Sequence, residues 1–175
     1  MTPNLITLGD CPVDSWAGCY DDSWQGLITP ESFSHPAKMA RGLLDRILDH
    51  TAQEGWLAPG GIILDPFGGI GSTGILGAYK GYRVVCVELE QKFVKLAEQN
   101  FALHAKKLAA LNCPQPVIIQ GDSRELCRIV QEADIVIASP PFLQGDKVQA
   151  RSGFGPGWRK VPFGERMDKC PRDGN

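Results

Sequence analysis

Short apolar runs and helical apolar spacings alternate through the middle of this chain. The runs Ile62-Ile63-Leu64 and Ile135-Val136-Ile137-Ala138 are rich in β-branched residues and lie between glycine or polar residues, which favours buried strands. Between such runs, apolar side chains recur three or four positions apart, as at Phe93, Ala97 and Phe101, a spacing typical of amphipathic helices. Strands that alternate with helices predict the α/β class, with a doubly wound parallel sheet and right-handed crossovers.

The pattern predicts four strands and four helices. Gly60-Gly61 introduces the first strand, and Gly81 ends the helix before the second strand. We expect the fourth strand to pair with the first. The predicted elements are a helix that begins at Pro36 with Ser34 as its N-cap, strand 62–64, helix 73–79, strand 83–87, helix 91–111, strand 117–119, helix 124–131 and strand 134–138.

Composition divides the chain into three segments. Residues 1–34 lack periodicity and predict an irregular N-terminal lead-in, whereas residues 35–142 hold the predicted elements. Residues 143–175 are rich in Gly and Pro and carry seven Lys or Arg against four Asp or Glu, which predicts a flexible basic tail. The net charge of the whole chain is −2, so we expect any nucleic-acid contact to favour this tail.

The composition also bears on the cellular compartment and on metal binding. The chain has 43% hydrophobic residues but no run of about eighteen apolar residues and no secretory signal, so we expect a cytoplasmic protein without membrane contact. Its six cysteines are widely spaced, which favours reduced thiols. With no Cys-x-x-Cys pair and three dispersed histidines, the sequence predicts no metal site.

A glycine-rich segment follows the first predicted strand and opens a helix. Gly69-Ile70-Gly71-Ser72-Thr73-Gly74 matches the G-x-G-x-x-G fingerprint of nucleotide-type cofactor loops, in which backbone N–H groups at the helix start can receive an anion, a pyrophosphate or a carboxylate. Glu88, at the end of the second strand, is suited to accept hydrogen bonds from both ribose hydroxyls. Asp122, after the third strand, can accept from an adenine amino group or cap the next helix. Both roles remain open.

The segment Ser139-Pro140-Pro141-Phe142 closes the fourth predicted strand. An exocyclic base amine must direct its hydrogens towards acceptors that stabilise the positive charge developing on nitrogen during alkylation. The Ser139 hydroxyl and the Pro140 carbonyl can provide two acceptors, because consecutive prolines hold the backbone rigid, and Phe142 can stack on the base. The carboxyl ends of parallel strands meet at one edge, so this segment should open beside the glycine loop.

These segments together resemble the S-adenosylmethionine-dependent DNA amino-methyltransferases of restriction-modification systems and phages, which methylate cytosine N4 or adenine N6. The resemblance covers residues 33–142. It rests on Asp65-Pro66-Phe67-Gly68-Gly69-Ile70-Gly71, Val87-Glu88-Leu89-Glu90, Gly121-Asp122-Ser123, Ser139-Pro140-Pro141-Phe142 and His35-Pro36-Ala37-Lys38.

The resemblance implies a fold, a cofactor and a substrate. The fold is the Rossmann-like class I methyltransferase fold, the cofactor is S-adenosylmethionine, and the substrate is DNA whose target base is flipped out. The Ser-Pro-Pro form leans towards cytosine N4. The implied cofactor-binding residues are Lys38, Asp65, Phe67, Gly68, Gly69, Gly71, Glu88 and Asp122, and the implied catalytic residues are Ser139, Pro140, Pro141 and Phe142.

The chain also departs from this family. Members complete a mixed sheet of about seven strands and add a target-recognition region, whereas four strands are evident here before the tail. The fold is therefore expected to be truncated after the fourth strand, which leaves an apolar edge. A partner chain or a missing C-terminal segment would complete the sheet.

Three other functions compete with DNA amine methylation. The first is a truncated, inactive remnant or partner subunit. The second is a nicotinamide-dependent oxidoreductase, which the glycine fingerprint favours and the Ser-Pro-Pro-Phe segment opposes. The third is methylation at cytosine C5, which requires a thiolate nucleophile where Ser139 stands.

Overall fold

The computed structural model describes residues 16–35 and 38–140, which form a parallel sheet covered by helices. Two short 3₁₀ helices span Pro30–Ser34 and Ser123–Glu125. The strands are β1 (Ile62–Asp65), β2 (Arg83–Glu88), β3 (Val117–Gln120) and β4 (Ile135–Val136), and the helices are α1 (Arg41–Gln53), α2 (Ser72–Tyr79), α3 (Gln91–Ala110) and α4 (Leu126–Ile129).

The four strands lie in the order β3-β2-β1-β4, and all neighbouring pairs are parallel. In β1, Leu64 is opposite both Val85 of β2 and Val136 of β4. The chain runs outward from β1 to β3 and then returns to the other side of β1, which creates a topological switch between β1 and β4. In doubly wound folds, ligands bind at the carboxyl ends of the strands beside such a switch. The predicted Rossmann-like α/β fold and the β1–β4 pairing are confirmed.

The core lies on both faces of the sheet because each strand presents apolar side chains to the helices. Leu44 and Leu48 of α1, Ile63 of β1, Ile75 of α2 and Leu108 of α3 are fully buried. These side chains follow the periodicity of their elements, so the strands and helices were largely identifiable from the sequence.

Residues 16–34 of the lead-in contribute to the same core, although among them only the 3₁₀ helix Pro30–Ser34 is regular. Trp24 and Ile28 are buried, and the indole Nε1 of Trp24 donates to the Met39 carbonyl at 2.9 Å. The Leu27 carbonyl lies 2.7 Å from the imidazole Nε2 of His104 in α3. Trp24, Leu27 and Ile28 therefore anchor this otherwise largely exposed segment to the core and to α3.

The predicted start of the first helix is wrong. Ser34 belongs to the 3₁₀ helix, and its hydroxyl donates to the Glu31 carbonyl rather than capping α1. Ala40 is extended, with φ −59° and ψ 135°, so α1 begins at Arg41. Pro36 itself lies outside the described residues.

Two later elements are shorter than predicted. A 3₁₀ turn and the four-residue α4 replace the helix expected over 124–131, because Val130 is already extended. In the last strand, the Asp134 carboxylate accepts from the Ile62 amide at 2.7 Å, and regular pairing is confined to Ile135 and Val136.

No helix among residues 16–35 and 38–140 is both long and apolar enough to cross a membrane. Within the same residues, no group of His, Cys, Asp and Glu side chains is placed to hold a metal ion.

Candidate functional site

A cavity of about 210 Å³ opens at the carboxyl ends of β1, β2 and β3. The loops after these strands line it, together with residues of the segment that leads into α1. The sequence-predicted residues that line it are Lys38, Asp65, Phe67, Gly68, Gly69, Glu88, Asp122 and Ser139. The structure thus brings eight of the twelve predicted site residues around one cavity.

The glycine loop makes its turn where side chains cannot be accommodated. Gly69 has φ +51° and Gly71 has φ +82°, both in the left-handed region that glycine adopts readily. A Cβ atom on Gly68 would lie 2.7 Å from the Cβ of buried Cys86 in β2. The loop therefore packs directly on the sheet and presents bare backbone to the cavity.

Gly71 lies beneath the cavity rather than in its wall. It is the N-cap of α2, and a Cβ atom there would lie 2.5 Å from the Phe101 ring of α3. Gly71 therefore acts through the packing of α2 on α3, and its predicted contact with a cofactor has no support from the cavity lining.

Three amides of this loop already have acceptors within the protein. The Gly68 amide donates to the Val87 carbonyl at 2.8 Å, and the Gly71 amide donates to the Gly68 carbonyl at 2.8 Å. The Gly69 amide donates to Oε2 of Glu88 at 2.9 Å. A carboxylate of the protein itself occupies the position where a phosphate would have to accept.

Glu88 fixes the loops after β1 and β2 relative to each other. Its Oε2 accepts from Gly69, and its Oε1 accepts from the Glu90 amide at 2.8 Å. A carboxylate has about four acceptor positions, so each oxygen retains capacity for one more donor. The carboxylate is therefore held firmly while it can still accept from two hydroxyls in the cavity.

Asp65 is the most buried acid of the cavity. Burial raises the pKa of its carboxyl group, opposed by hydrogen bonds from the Thr73 hydroxyl, at 2.6 Å, and from the Phe67 amide, at 3.0 Å. These two bonds stabilise the turn from β1 into the glycine loop. Asp65 thus shapes the loop as well as lining the cavity.

Asp122 is paired with Arg124. Its Oδ1 accepts from the Arg124 amide at 2.9 Å, and both carboxylate oxygens accept from the Arg124 guanidinium. These hydrogen bonds lower the pKa of Asp122 to about 2, so this carboxyl group is ionised at neutral pH. The capping role is confirmed, since the bond to the Arg124 amide begins the 3₁₀ helix Ser123–Glu125.

His35 forms a wall of the cavity that was not among the predicted site residues. Its Nε2 would lie 3.1 Å from a Cβ atom on Gly69, and its ring meets Phe93 edge-on with centroids 4.3 Å apart. Burial lowers the pKa of His35, and the charge of Lys38 lowers it further. His35 belongs to the motif segment recognised in the sequence, whereas Phe93 has the spacing of an ordinary core residue.

Lys38 lines the cavity, but its ammonium group points to the preceding turn. Nζ donates to the Phe33 carbonyl at 3.0 Å and to the His35 carbonyl at 2.5 Å. Lys38 therefore holds the segment that carries His35.

Ser139 reaches the same cavity from the end of β4, as expected for strands that share a carboxyl edge. Pro140 is exposed and follows it, outside the lining. The remaining two predicted catalytic residues, Pro141 and Phe142, lie outside the described residues.

The lining carries an excess of acidic groups. Four carboxylates and one ammonium group belong to its lining residues: those of Asp65, Glu88, Glu90, Asp122 and Lys38. Arg124 pairs with Asp122 and Lys92 pairs with Glu90 at 2.8 Å, which leaves the carboxylates in excess. Such a site favours a cationic ligand over an anionic one.

Comparison with known proteins finds similarity over the part of the chain that carries the glycine loop and Glu88, and the match ends before Asp122 and Ser139. The N6/N4 methylase family, described as DNA methylase, matches residues 13–99. The type II methyltransferase M2.DpnII of Streptococcus pneumoniae is 32% identical over 83 residues, which are 45% of this chain and 29% of that protein. The type II methyltransferase M2.MboI of Moraxella bovis is 36% identical over 67 residues, 38% of this chain and 23% of that protein.

A solved RNA methyltransferase from Salinibacter ruber, in complex with S-adenosyl-L-homocysteine, aligns with 24% identity and a TM-score of 0.41 over 55% of this chain and 56% of that chain. The present chain spans less than a third of the length of the curated relatives that it matches. The matched residues include the glycine loop and Glu88.

Proposed function

Because this chain resembles the DNA amino-methyltransferases over residues 13–99, we propose that it carries the cofactor-binding part of such an enzyme. The reaction is transfer of a methyl group from S-adenosylmethionine to an exocyclic amine of a DNA base. One observation carries the proposal: the glycine loop, Glu88, Asp122 and Ser139 surround the same cavity.

The residues of the cavity fit S-adenosylmethionine better than a dinucleotide. A pyrophosphate needs free N–H donors at the loop, whereas the amides of Gly68, Gly69 and Gly71 are already bonded within the protein. The excess of carboxylates disfavours a dianion and is compatible with a ligand that bears a sulfonium and an ammonium group. Among adenosine cofactors, this argument favours S-adenosylmethionine over NAD.

Specific residues would hold the parts of the cofactor. The remaining acceptor positions of Glu88 suit the two ribose hydroxyls. Asp122 lies at the end of β3, where the adenine amino group would replace part of its pairing with the exposed Arg124 side chain. Gly69, His35 and Asp65 would border the methionine part of the cofactor. The missing side chain of Gly69 leaves space there, since a Cβ atom would approach the His35 ring to 3.1 Å. When bound, S-adenosylmethionine supplies an electrophilic methyl group attached to sulfur.

Ser139 would act on the acceptor base. Its hydroxyl and the Pro140 carbonyl would accept hydrogen bonds from the amine and so orient the nitrogen lone pair towards the methyl carbon. A nitrogen–carbon bond forms as the sulfur–carbon bond breaks, and the amine then loses a proton to solvent. By the Ser-Pro-Pro form, we favour cytosine N4 over adenine N6, with DNA as the partner and the base flipped out.

Isothermal titration of the chain with S-adenosylmethionine and with NAD tests the cofactor. We expect saturable binding of S-adenosylmethionine and none of NAD. Glu88→Gln should weaken binding about tenfold or more, because charged hydrogen bonds are lost at the ribose and at Gly69. Preferential binding of NAD would refute the proposal.

Transfer is tested with labelled cofactor on unmethylated DNA, followed by nucleoside analysis. Ser139→Ala should lower the rate about a hundredfold with little change in cofactor affinity. Ser23→Ala, at an exposed serine outside the cavity, is the matched control. Label in N6-methyladenine would correct the choice of base, and cofactor binding without transfer would support the alternative of a partner subunit.

A further inference from the structure

Asn100 of α3 is fully buried and joins two segments that border the cavity. Its Oδ1 accepts from the Thr29 amide at 2.8 Å, and its Nδ2 donates to the Ile70 carbonyl at 2.9 Å. The same Nδ2 donates to the Ser32 hydroxyl at 3.0 Å. A single amide group thus connects the lead-in to the glycine loop.

The chemistry of these contacts fixes the orientation of the amide. The acceptor oxygen faces a backbone N–H group and the donor nitrogen faces a backbone carbonyl, so a flipped amide would place like groups together. Ser32 is also fully buried, and its hydroxyl lies 2.9 Å from that of Thr29. Loss of Asn100 would leave the Thr29 amide and the Ile70 carbonyl without these partners in a dry interior.

Both connected segments form walls of the cavity. Ile70 lies between Gly69 and Gly71 in the glycine loop. Thr29 is the N-cap of the 3₁₀ helix Pro30–Ser34, Ser32 lies within this helix, and His35 follows it directly. The distance between Gly69 and the His35 ring is therefore set through a side chain that is absent from the cavity lining.

We propose that Asn100 is a positioning residue for the cofactor: it holds the His35 wall against the glycine loop and so sets the width of the cavity. This inference rests on the proposed function for its ligand. It assigns to α3 a role beyond the packing of its apolar face, and it explains why an amide is buried among apolar neighbours.

Cofactor affinity separates positioning from plain stability. Asn100→Ala should weaken S-adenosylmethionine binding about tenfold or more, measured by titration at a temperature where the variant is fully folded. Tyr79→Phe is the matched control, because it removes the hydrogen bond between Tyr79 and His104 one turn further along α3, away from the cavity. We expect this control to lower the melting temperature but to leave the affinity within about twofold.

A double-mutant cycle tests whether Asn100 acts through the His35 wall. His35→Ala should weaken binding in the parent chain but have a much smaller effect in the Asn100→Ala background. If Asn100→Ala does not fold, Ser32→Ala removes one member of the same cluster and should show the same coupling in weaker form. If the fold-changes in dissociation constant of the two substitutions simply multiply, the two residues act independently and the proposal is wrong.

Amide hydrogen exchange without ligand keeps this test independent of the proposed function. Asn100→Ala should speed exchange in residues 29–35 and 68–71, whereas Tyr79→Phe should not. Failure of the parent chain to bind S-adenosylmethionine would refute the cofactor assignment alone. Unchanged exchange in both segments would refute the role of Asn100.

Discussion

At the residue scale, Gly69 lies against the ring of His35 in the cavity wall. A Cβ atom on Gly69 would lie 3.1 Å from Nε2 and 3.2 Å from Cε1 of the imidazole. Gly69 also has a left-handed backbone, with φ +51°. Position 69 therefore requires glycine for two reasons: its left-handed backbone and the lack of room for a side chain beside His35.

Gly69→Ala separates these two requirements when it is compared with Gly81→Ala. Gly81 has φ +85° but nothing within 4 Å of its Cβ position, so it reports backbone strain alone. Both variants should lose about 1 to 2 kcal/mol of stability in urea unfolding. Only Gly69→Ala should also weaken cofactor binding, and equal affinities in the two variants would contradict this expectation.

The protonation of His35 predicts a pH dependence of stability. Burial lowers its pKa below the ordinary value of 6.5, so near and just below pH 6.5 the unfolded chain binds a proton that the folded chain does not. His35 should therefore make the protein less stable as the pH falls below 6.5. In thermal unfolding, the drop in melting temperature from pH 7.5 to 5.5 should be smaller in His35→Gln, and an equal drop would contradict this.

At the element scale, α2 approaches α3 through glycines. A Cβ atom on Gly74 would lie 2.6 Å from Cζ of Phe101, and the neighbouring Gly71 faces the same ring. The ring therefore fills a notch formed by two glycines. This contact holds the start of α2, and with it the glycine loop, against the long helix.

Gly74→Ala and Phe101→Leu test this notch together. Gly74→Ala should cost about 1 to 3 kcal/mol by overpacking, and Phe101→Leu should cost stability through the cavity that it leaves. The smaller side chain at position 101 makes room for the new methyl group. The double variant should therefore lose less stability than the two single variants lose together. If the two losses of unfolding free energy simply add in urea unfolding, the new methyl group and the Phe101 ring do not compete for the same space.

Elements with strong periodicity could be predicted from the sequence, and weakly patterned ones could not. The long helix α3 and strands β1 to β3 agree within one residue at each end, because their apolar spacing spans most of their length. The start of α1 was placed five residues too early, since Ser34 and Pro36 resemble an N-cap and a first turn. The hydroxyl of Ser34 instead bonds backward to Glu31.

At the scale of the whole molecule, the sequence identified the cavity but not what closes it. The carboxyl ends of parallel strands lie at one edge of a sheet, so the meeting of Gly69, Glu88, Asp122 and Ser139 was predictable. The contribution of the lead-in was not, because Trp24 and Ile28 show no periodicity and contact elements far along the chain. Pairwise chemistry such as Glu88 with Gly69 also leaves no pattern in the sequence.

The electrostatics of the cavity likewise emerge only from the fold. The sequence pattern at Gly69 to Gly74 is shared by loops that bind pyrophosphate, yet the Glu88 carboxylate takes the Gly69 amide here. The glycines of the motif determine the backbone conformation of the loop. The charge of the ligand that the loop can bind depends on side chains from neighbouring strands, such as Glu88 of β2.

The anchoring of the lead-in by α3 has a consequence for biosynthesis. The hydrogen bond from the Thr29 amide to Asn100 joins residues 71 positions apart. At a ribosomal rate of about 5 to 20 residues per second, Thr29 is made roughly 4 to 14 seconds before its partner. Thr29 and Ser32 lack this buried partner during that interval, so the earliest-made part of the described fold gains its contact with α3 only after the helices α1 and α2 have been made.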